Sequence, residues 1–150
     1  MFNPVPKPKR VKKKSGLSMS SLDIRWSYLI KLRAGLKSEL SNRNLNLNAH
    51  HINGKENYTL RYSLLSGICL TEDEHINGIH NPNRAERYRE LIKKARGQDI
   101  YERLEKVRKN HEVLSLVEIE NYLNYHIELL KGRRQGKIYL ILKKGEWYAK

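Results

Sequence analysis

The sequence predicts an α+β fold, and three observations predict it. Apolar residues return at helical spacing in the runs that begin at Ser21, Asn83 and Ser115. The stretch SNRNLNLNAHHI alternates polar and apolar residues with a period of two, and a short apolar run, GICL, follows to pair with it. With 150 residues and 39% hydrophobic content, the chain suits one domain with appendages and a modest core.

The elements follow in order. FNPVPKPKRVKKKSG holds three of the four prolines and six positive charges, a composition that cannot bury a core, so residues 1–16 are expected to form a disordered basic arm. From Ser21, the residues Leu22, Trp26, Leu29, Ile30 and Arg33 share one face of a helix that Gly35 closes. Leu45, Leu47, Ala49 and His51 line one face of a strand with His50 and His51 at its distal end. Asn53-Gly54 is a turn signal, and Tyr58 to Tyr62 leans towards β structure. Ser66-Gly67 opens GICL, the return strand, on which Cys69 is expected as a buried small hydrophobe.

Asn83 with Glu86 forms a helix-start signature ahead of RAERYRELIKKARG, which ends at Gly97, and QDIYERLEKVRKNH continues as a second helix. Ser115 and Glu118 repeat the capping pattern before LVEIENYLNYHIELLKG. KIYLILKKGEWYAK reads as two strands about a Lys-Gly turn. The organisation expected is a basic arm over 1–16, a core over 17–110, and a C-terminal helix with a basic hairpin over 111–150. Trp147, Tyr148 and Tyr139 stand among Lys137, Lys143 and Lys144. Such aromatics either close a small hairpin core, the favoured reading, or stack on bases.

Charge narrows the partner. Residues 1–14 carry six Lys/Arg and no acid, and residues 131–150 carry seven with one acid, so the ends hold +12 of the net +14. Basic flanks on a near-neutral body suit a polyanion, nucleic acid first, because Lys/Arg that neutralise phosphates release counterions. Lys12, Lys13 and Lys14 either contact phosphate or belong to a solubilising tail. No apolar run approaches the roughly 18 residues of a spanning helix, and the basic N-terminus lacks an apolar signal region. The chain therefore reads as soluble and intracellular, with no membrane partner. The single cysteine, Cys69, excludes an intramolecular disulfide and any Cys-rich zinc site, which fits a reducing compartment.

Four of the six histidines, His50, His51, His75 and His80, fall within 31 residues. Neighbours on a strand point to opposite faces, so one of the adjacent pair can bind metal while the other faces substrate. The intervals carry more. Fourteen residues separate His51 from Ser66, eight separate Ser66 from His75, and four separate His75 from His80. The chain resembles the HNH endonuclease superfamily, whose colicin-type pattern is His-His, fourteen residues, Asn, eight residues, His, three residues, His. Over about residues 22–95, and most of all in NAHHINGKENYTLRYSLLSGICLTEDEHINGIHNPN, it is similar to phage and mobile-element members of homing type.

The resemblance implies a ββα-metal (His-Me finger) core with flanking helices, gripping one divalent ion against the scissile phosphate of DNA; a phage-borne enzyme would work in the host cytoplasm. His51 would be the general base, since imidazole titrates near neutrality. His50, His75 and His80 would hold the metal, with Mg, Mn, Ni and Zn not distinguished. Ser66, in the place of the family Asn, would support the base through a shorter side chain with one donor. The alternative is a nucleic-acid-binding module on the same scaffold whose catalysis has weakened. An RNA-associated basic protein ranks last, because it leaves the histidines unused.

Two further departures from the family pattern matter. Five positions between His75 and His80 amount to a rotation of about 140° on an ideal α-helix, against about 40° for four, so the pair is not expected to share a helix face; Gly78 and Pro82 instead suggest a loop at His80. The paired cysteines of many relatives are missing around Leu36 to Ser41 and at Thr71 and Glu74, so no structural Cys zinc site is expected. Arg61 is either a phosphate clamp or half of a structural ion pair. Arg84 and Arg87 are expected to bring the following helix to the DNA backbone. Asp73 and Glu74 either add oxygen ligands, or raise the pKa of His75, or, as favoured, form a solvated acidic turn. His111 and His126 are left as ordinary residues.

Overall fold

The computed structural model describes residues 17–55, 58–109, 114–131, 140–143 and 146–149. The expected arm with Lys12, Lys13 and Lys14 lies outside the described residues, as do His111, Lys137, Tyr139 and Lys144. The fold is α+β. Helix α1 (Met19–Arg33) leads into a ribbon of β1 (Leu47–His51) and β2 (Gly67–Thr71), with the short helix α2 (Tyr58–Arg61) between the strands. A π-helical turn, Glu74–Ile79, follows, then α3 (Ala85–Arg96), α4 (Gln98–Lys109), α5 (Leu116–Lys131) and an antiparallel pair, β3 (Leu140–Lys143) and β4 (Glu146–Ala149).

Helix α1 starts where Ser18 and Ser21 cap each other reciprocally, each hydroxyl accepting the other's backbone N–H at 3.2 Å. Its buried face is Leu22, Trp26, Leu29, Ile30 and Arg33. The apolar members pack against Ile119, Tyr122, Leu123 and Ile127 of α5. The C-terminal helix, expected as part of an appendage, thus shares the main core. Ser115 and Glu118 cap its start, the Glu118 carboxylate accepting from Ser115 N at 2.8 Å.

Strands β1 and β2 are antiparallel, with Leu47 opposite Thr71 and His51 opposite Gly67. Every residue of β2 is buried. Ile68 and Leu70 pack on Ile92 of α3, while Cys69 joins the α1–α5 core. A strand covered on both faces has no polar side to alternate with, hence the continuous apolar run GICL. Strand β1 is half-buried throughout, and Leu45, expected on its buried face, is 71% exposed.

Other elements differ from expectation. Tyr58 to Arg61 is helical because Leu60 is drawn in with Leu65 against Ile100 and Leu104 of α4; tertiary burial overrides β propensity there. Asn83 does not cap α3. The N-cap is Arg84, without a side-chain bond, and Asn83 N instead donates to Asn81 Oδ1 at 2.9 Å. Glu74 is not in a solvated turn but 3% exposed. Its Oε2 accepts from Ser38 Oγ at 2.6 Å and Thr71 N at 2.8 Å, so Ser38, Thr71 and Glu74 form a hydrogen-bonded staple in the region that lacks paired cysteines. Burial pushes this carboxyl up, but bonds from Ser38, Ser41 and Thr71 outweigh it and hold the pKa below its ordinary value.

Gly67 is where α1 meets the ribbon. A Cβ there would collide with Ile30 Cδ1 and would lie 2.7 Å from Trp26 Cζ2. Its carbonyl accepts from Arg33 at 2.9 Å and also from Arg96, and both arginines bind Glu39 Oε2, at 2.6 and 3.1 Å. Cys69 N donates to the same oxygen at 2.8 Å. Two buried guanidiniums are tolerated here because one carboxylate and backbone carbonyls accept from both of them. Overpacking a filled core costs about 1–3 kcal/mol, so Gly67→Ala should lower the unfolding free energy by that order, read as a lower denaturant midpoint with an unchanged slope.

His126, 1% exposed on α5, lies edge-on to the rings of Tyr122 and Tyr125 at 4.6 and 4.8 Å. Burial pushes its pKa from 6.5 down to about 4. As pH falls below 6.5 the unfolded chain takes up this proton first, so folding stability drops until the folded pKa is reached. Between pH 7 and 5 the loss is about 2 kcal/mol, and His126→Leu should flatten the pH dependence of thermal unfolding by that amount.

Candidate metal centre

The distal end of β1 splits its two histidines. His51 turns to α1, where its ring lies parallel to Trp26 with centroids 3.8 Å apart and planes 10° from parallel. His50 meets His75 and His80, its ring centroid 5.2 and 5.9 Å from theirs. These two are brought together by the π turn. His80, just after it, is on no α-helix, but it is not a detached loop residue either: His80 N donates to His75 O at 3.1 Å, the i→i+5 bond of a π-helix. The wider turn brings five residues round to one side, which an α-helix would not do. Gly78 allows it, because a Cβ there would lie 2.7 Å from the Tyr88 ring of α3.

The three imidazoles each offer a ring nitrogen within 4.8 Å of the others, and among the described residues no other His, Cys, Asp and Glu side chains form such a group. The Nε2 atoms of His75 and His80 are 3.1 Å apart. Two nitrogens on a tetrahedral zinc, at about 2.0–2.1 Å each, would stand about 3.4 Å apart, so His75 and His80 already have the spacing of two ligands on one transition ion, with His50 within 4.8 Å of both. The site favours neutral ligands. Burial first, then the neighbouring His75 and His80, pushes His50 down to about 4, and burial followed by His80 lowers His75. At neutral pH the His50 and His75 rings need not first lose a proton to offer a lone pair.

His51 is held at its edge as well as its face. Its Nε2 lies 2.9 Å from the Arg61 carbonyl, and since a carbonyl only accepts, Nε2 carries the proton and Nδ1 the lone pair. Burial is the main cause of its pKa being pushed down to about 4, with Lys55 and Arg61 adding to it while the Arg61 carbonyl and Asp23 oppose. The ring is therefore neutral at physiological pH. Ser66, 1% exposed, donates its hydroxyl to the Leu60 carbonyl and lies 3.0 Å from that of Ser63, while its own carbonyl accepts from Ile52 N at 2.8 Å. It thereby ties the segment carrying Arg61 to the ribbon.

The Arg61 guanidinium is engaged: Nε and Nη2 donate to the two Asp23 oxygens at 3.0 and 2.6 Å. Arg84 and Arg87 are exposed at the start of α3. Asp73 accepts from Asn77 at 2.8 Å, and Glu74 belongs to the buried staple; neither joins the histidine group. A cavity of about 480 Å³ is bordered by the three histidines, His51, Trp26 and Asp23. Lys55 also lines it. Trp26 carried no signal in the sequence beyond helical spacing and Asp23 none, because their partners lie 25 and 38 positions away.

Calorimetric titration of the full chain with Zn should give one site per chain; His75→Ala should weaken it at least about tenfold, and His51→Ala should leave the stoichiometry at one. Among the described residues no helix is long and apolar enough to cross a membrane. Compared with known families, curated proteins and solved structures, the chain matches none.

Proposed function

We propose that the chain is a metal-dependent endonuclease of HNH type, hydrolysing phosphodiester bonds of DNA on a ββα-metal core. One observation carries this reading: adjacent residues His50 and His51 face different partners, the first joining two more imidazoles and the second held as a neutral, singly oriented base in the same cavity. The net charge of +14 supports a polyanionic substrate.

His50, His75 and His80 would hold the ion. When bound, it supplies Lewis acidity to the phosphoryl oxygen and offsets charge on the departing 3′ oxygen. His51 takes the proton of the attacking water at Nδ1, the nitrogen left free by the Arg61 carbonyl. Trp26 limits tilting of the base, and Ser66 holds the segment that supplies the carbonyl. Lys55, on the cavity wall, supplies positive charge to a bound phosphate.

The test is plasmid nicking with Mg, Mn, Ni or Zn, beside EDTA. Nicking should need metal and fall about 100-fold or more in His51→Ala, the order that general-base catalysis contributes. Ser66→Ala should lose about 10- to 100-fold, the usual cost of removing a group that orients an active one. Undiminished nicking by His51→Ala would reject the assigned base, and tight DNA binding without cleavage under every metal would favour the weakened binding module.

A further inference from the structure

We propose that Asp23 and Trp26, three residues apart on α1, are positioning residues for His51, one fixing the edge of its ring and the other the plane. Trp26 covers the imidazole face at 3.8 Å and is itself pinned by Nε1 donating to the Ser63 carbonyl at 3.0 Å. Asp23 acts at one remove. Its two oxygens hold the Arg61 fork at 3.0 and 2.6 Å, and the carbonyl of that same Arg61 receives the His51 Nε2 proton at 2.9 Å.

The geometry explains why a helix outside the histidine ribbon borders its cavity. Arg61 ends α2, a helix of only four residues. So short an element does not fix its own terminal carbonyl; the Ser66 bonds to Leu60 and Ser63 hold its ends, and a bidentate ion pair to a long packed helix restrains Arg61 itself. The Asp23 and Arg61 side chains are 27% and 15% exposed, sheltered enough for the pair to hold one geometry. With Nε2 tied, the tautomer is set and Nδ1 is the nitrogen that accepts. Released, the ring samples both tautomers and other tilts, so that Nδ1 is no longer held as the accepting nitrogen at a fixed place in the cavity.

The kinetic part of this inference rests on the nuclease reading, whereas its spectroscopic part does not. Long-range proton–nitrogen NMR on the zinc-loaded full chain should show His51 as a single Nε2–H tautomer, and in Asp23→Asn as a mixture. In the same variant kcat for nicking should fall about 10- to 100-fold with KM and zinc affinity little changed, and Asp23→Glu should recover part of the loss. A single Nε2–H tautomer retained in Asp23→Asn would overturn the proposal, whatever the activity. Tautomer mixing in a chain that never nicks DNA would instead sink the nuclease reading and leave the positioning role standing. Should Asp23→Asn not fold, Arg61→Gln breaks the same pair from the other side; loss of folding in both would make the pair structural and overturn the proposal.

Discussion

The close approach of α1 to the ribbon at Gly67 is the constraint on which the rest of the structure depends. Because Gly67 has no side chain, Ile30 and Trp26 come down on the start of β2, directly opposite His51 in the strand register. That places the Trp26 ring on the His51 imidazole and Asp23, one helical turn earlier, on Arg61. The Gly67 carbonyl is then capped by Arg33 and Arg96, which share Glu39 and so lock α1, β2 and the end of α3 to one point. Packing and site geometry are one problem here: a side chain at position 67 would displace Trp26 and with it His51, as well as disturb the core.

A second constraint lies in the π turn. Its cost is a wider, less favourable backbone ladder, and such turns recur at functional sites. Here it makes His75 and His80 neighbours, and Tyr88 packed against Gly78 holds the turn to α3. The Ser38, Thr71 and Glu74 staple secures the other end, Glu74 being the first residue of the turn.

Much of this was legible in the sequence, for physical reasons. The buried face of α1 follows from helical spacing alone, and all five of its members are buried. The ribbon follows from alternation in β1 and an apolar run in β2, whereas the grouping of His50, His75 and His80 was expected only because the resemblance to HNH endonucleases implies it. What was not legible depends on contacts distant in the chain or on backbone that ignores local rules. The α-helical rotation rule separates His75 from His80, and only the π turn rejoins them. Tyr58 to Arg61 favours a strand locally, but burial of Leu60 on α4 decides otherwise. Glu74 beside Asp73 has the composition of an exposed acidic turn; its burial depends on Ser38, 36 positions earlier. Trp26 gave only an amphipathic pattern, and Asp23 no signal.

The division of labour between His50 and His51 is tested most directly by X-ray absorption at the zinc edge of the loaded full chain, recorded for the native protein and for His51→Ala. The prediction is three imidazole nitrogens at about 2.0–2.1 Å in both, with His51 outside the coordination shell. A shell that loses an imidazole in His51→Ala, or that holds fewer than three in the native chain, would contradict it.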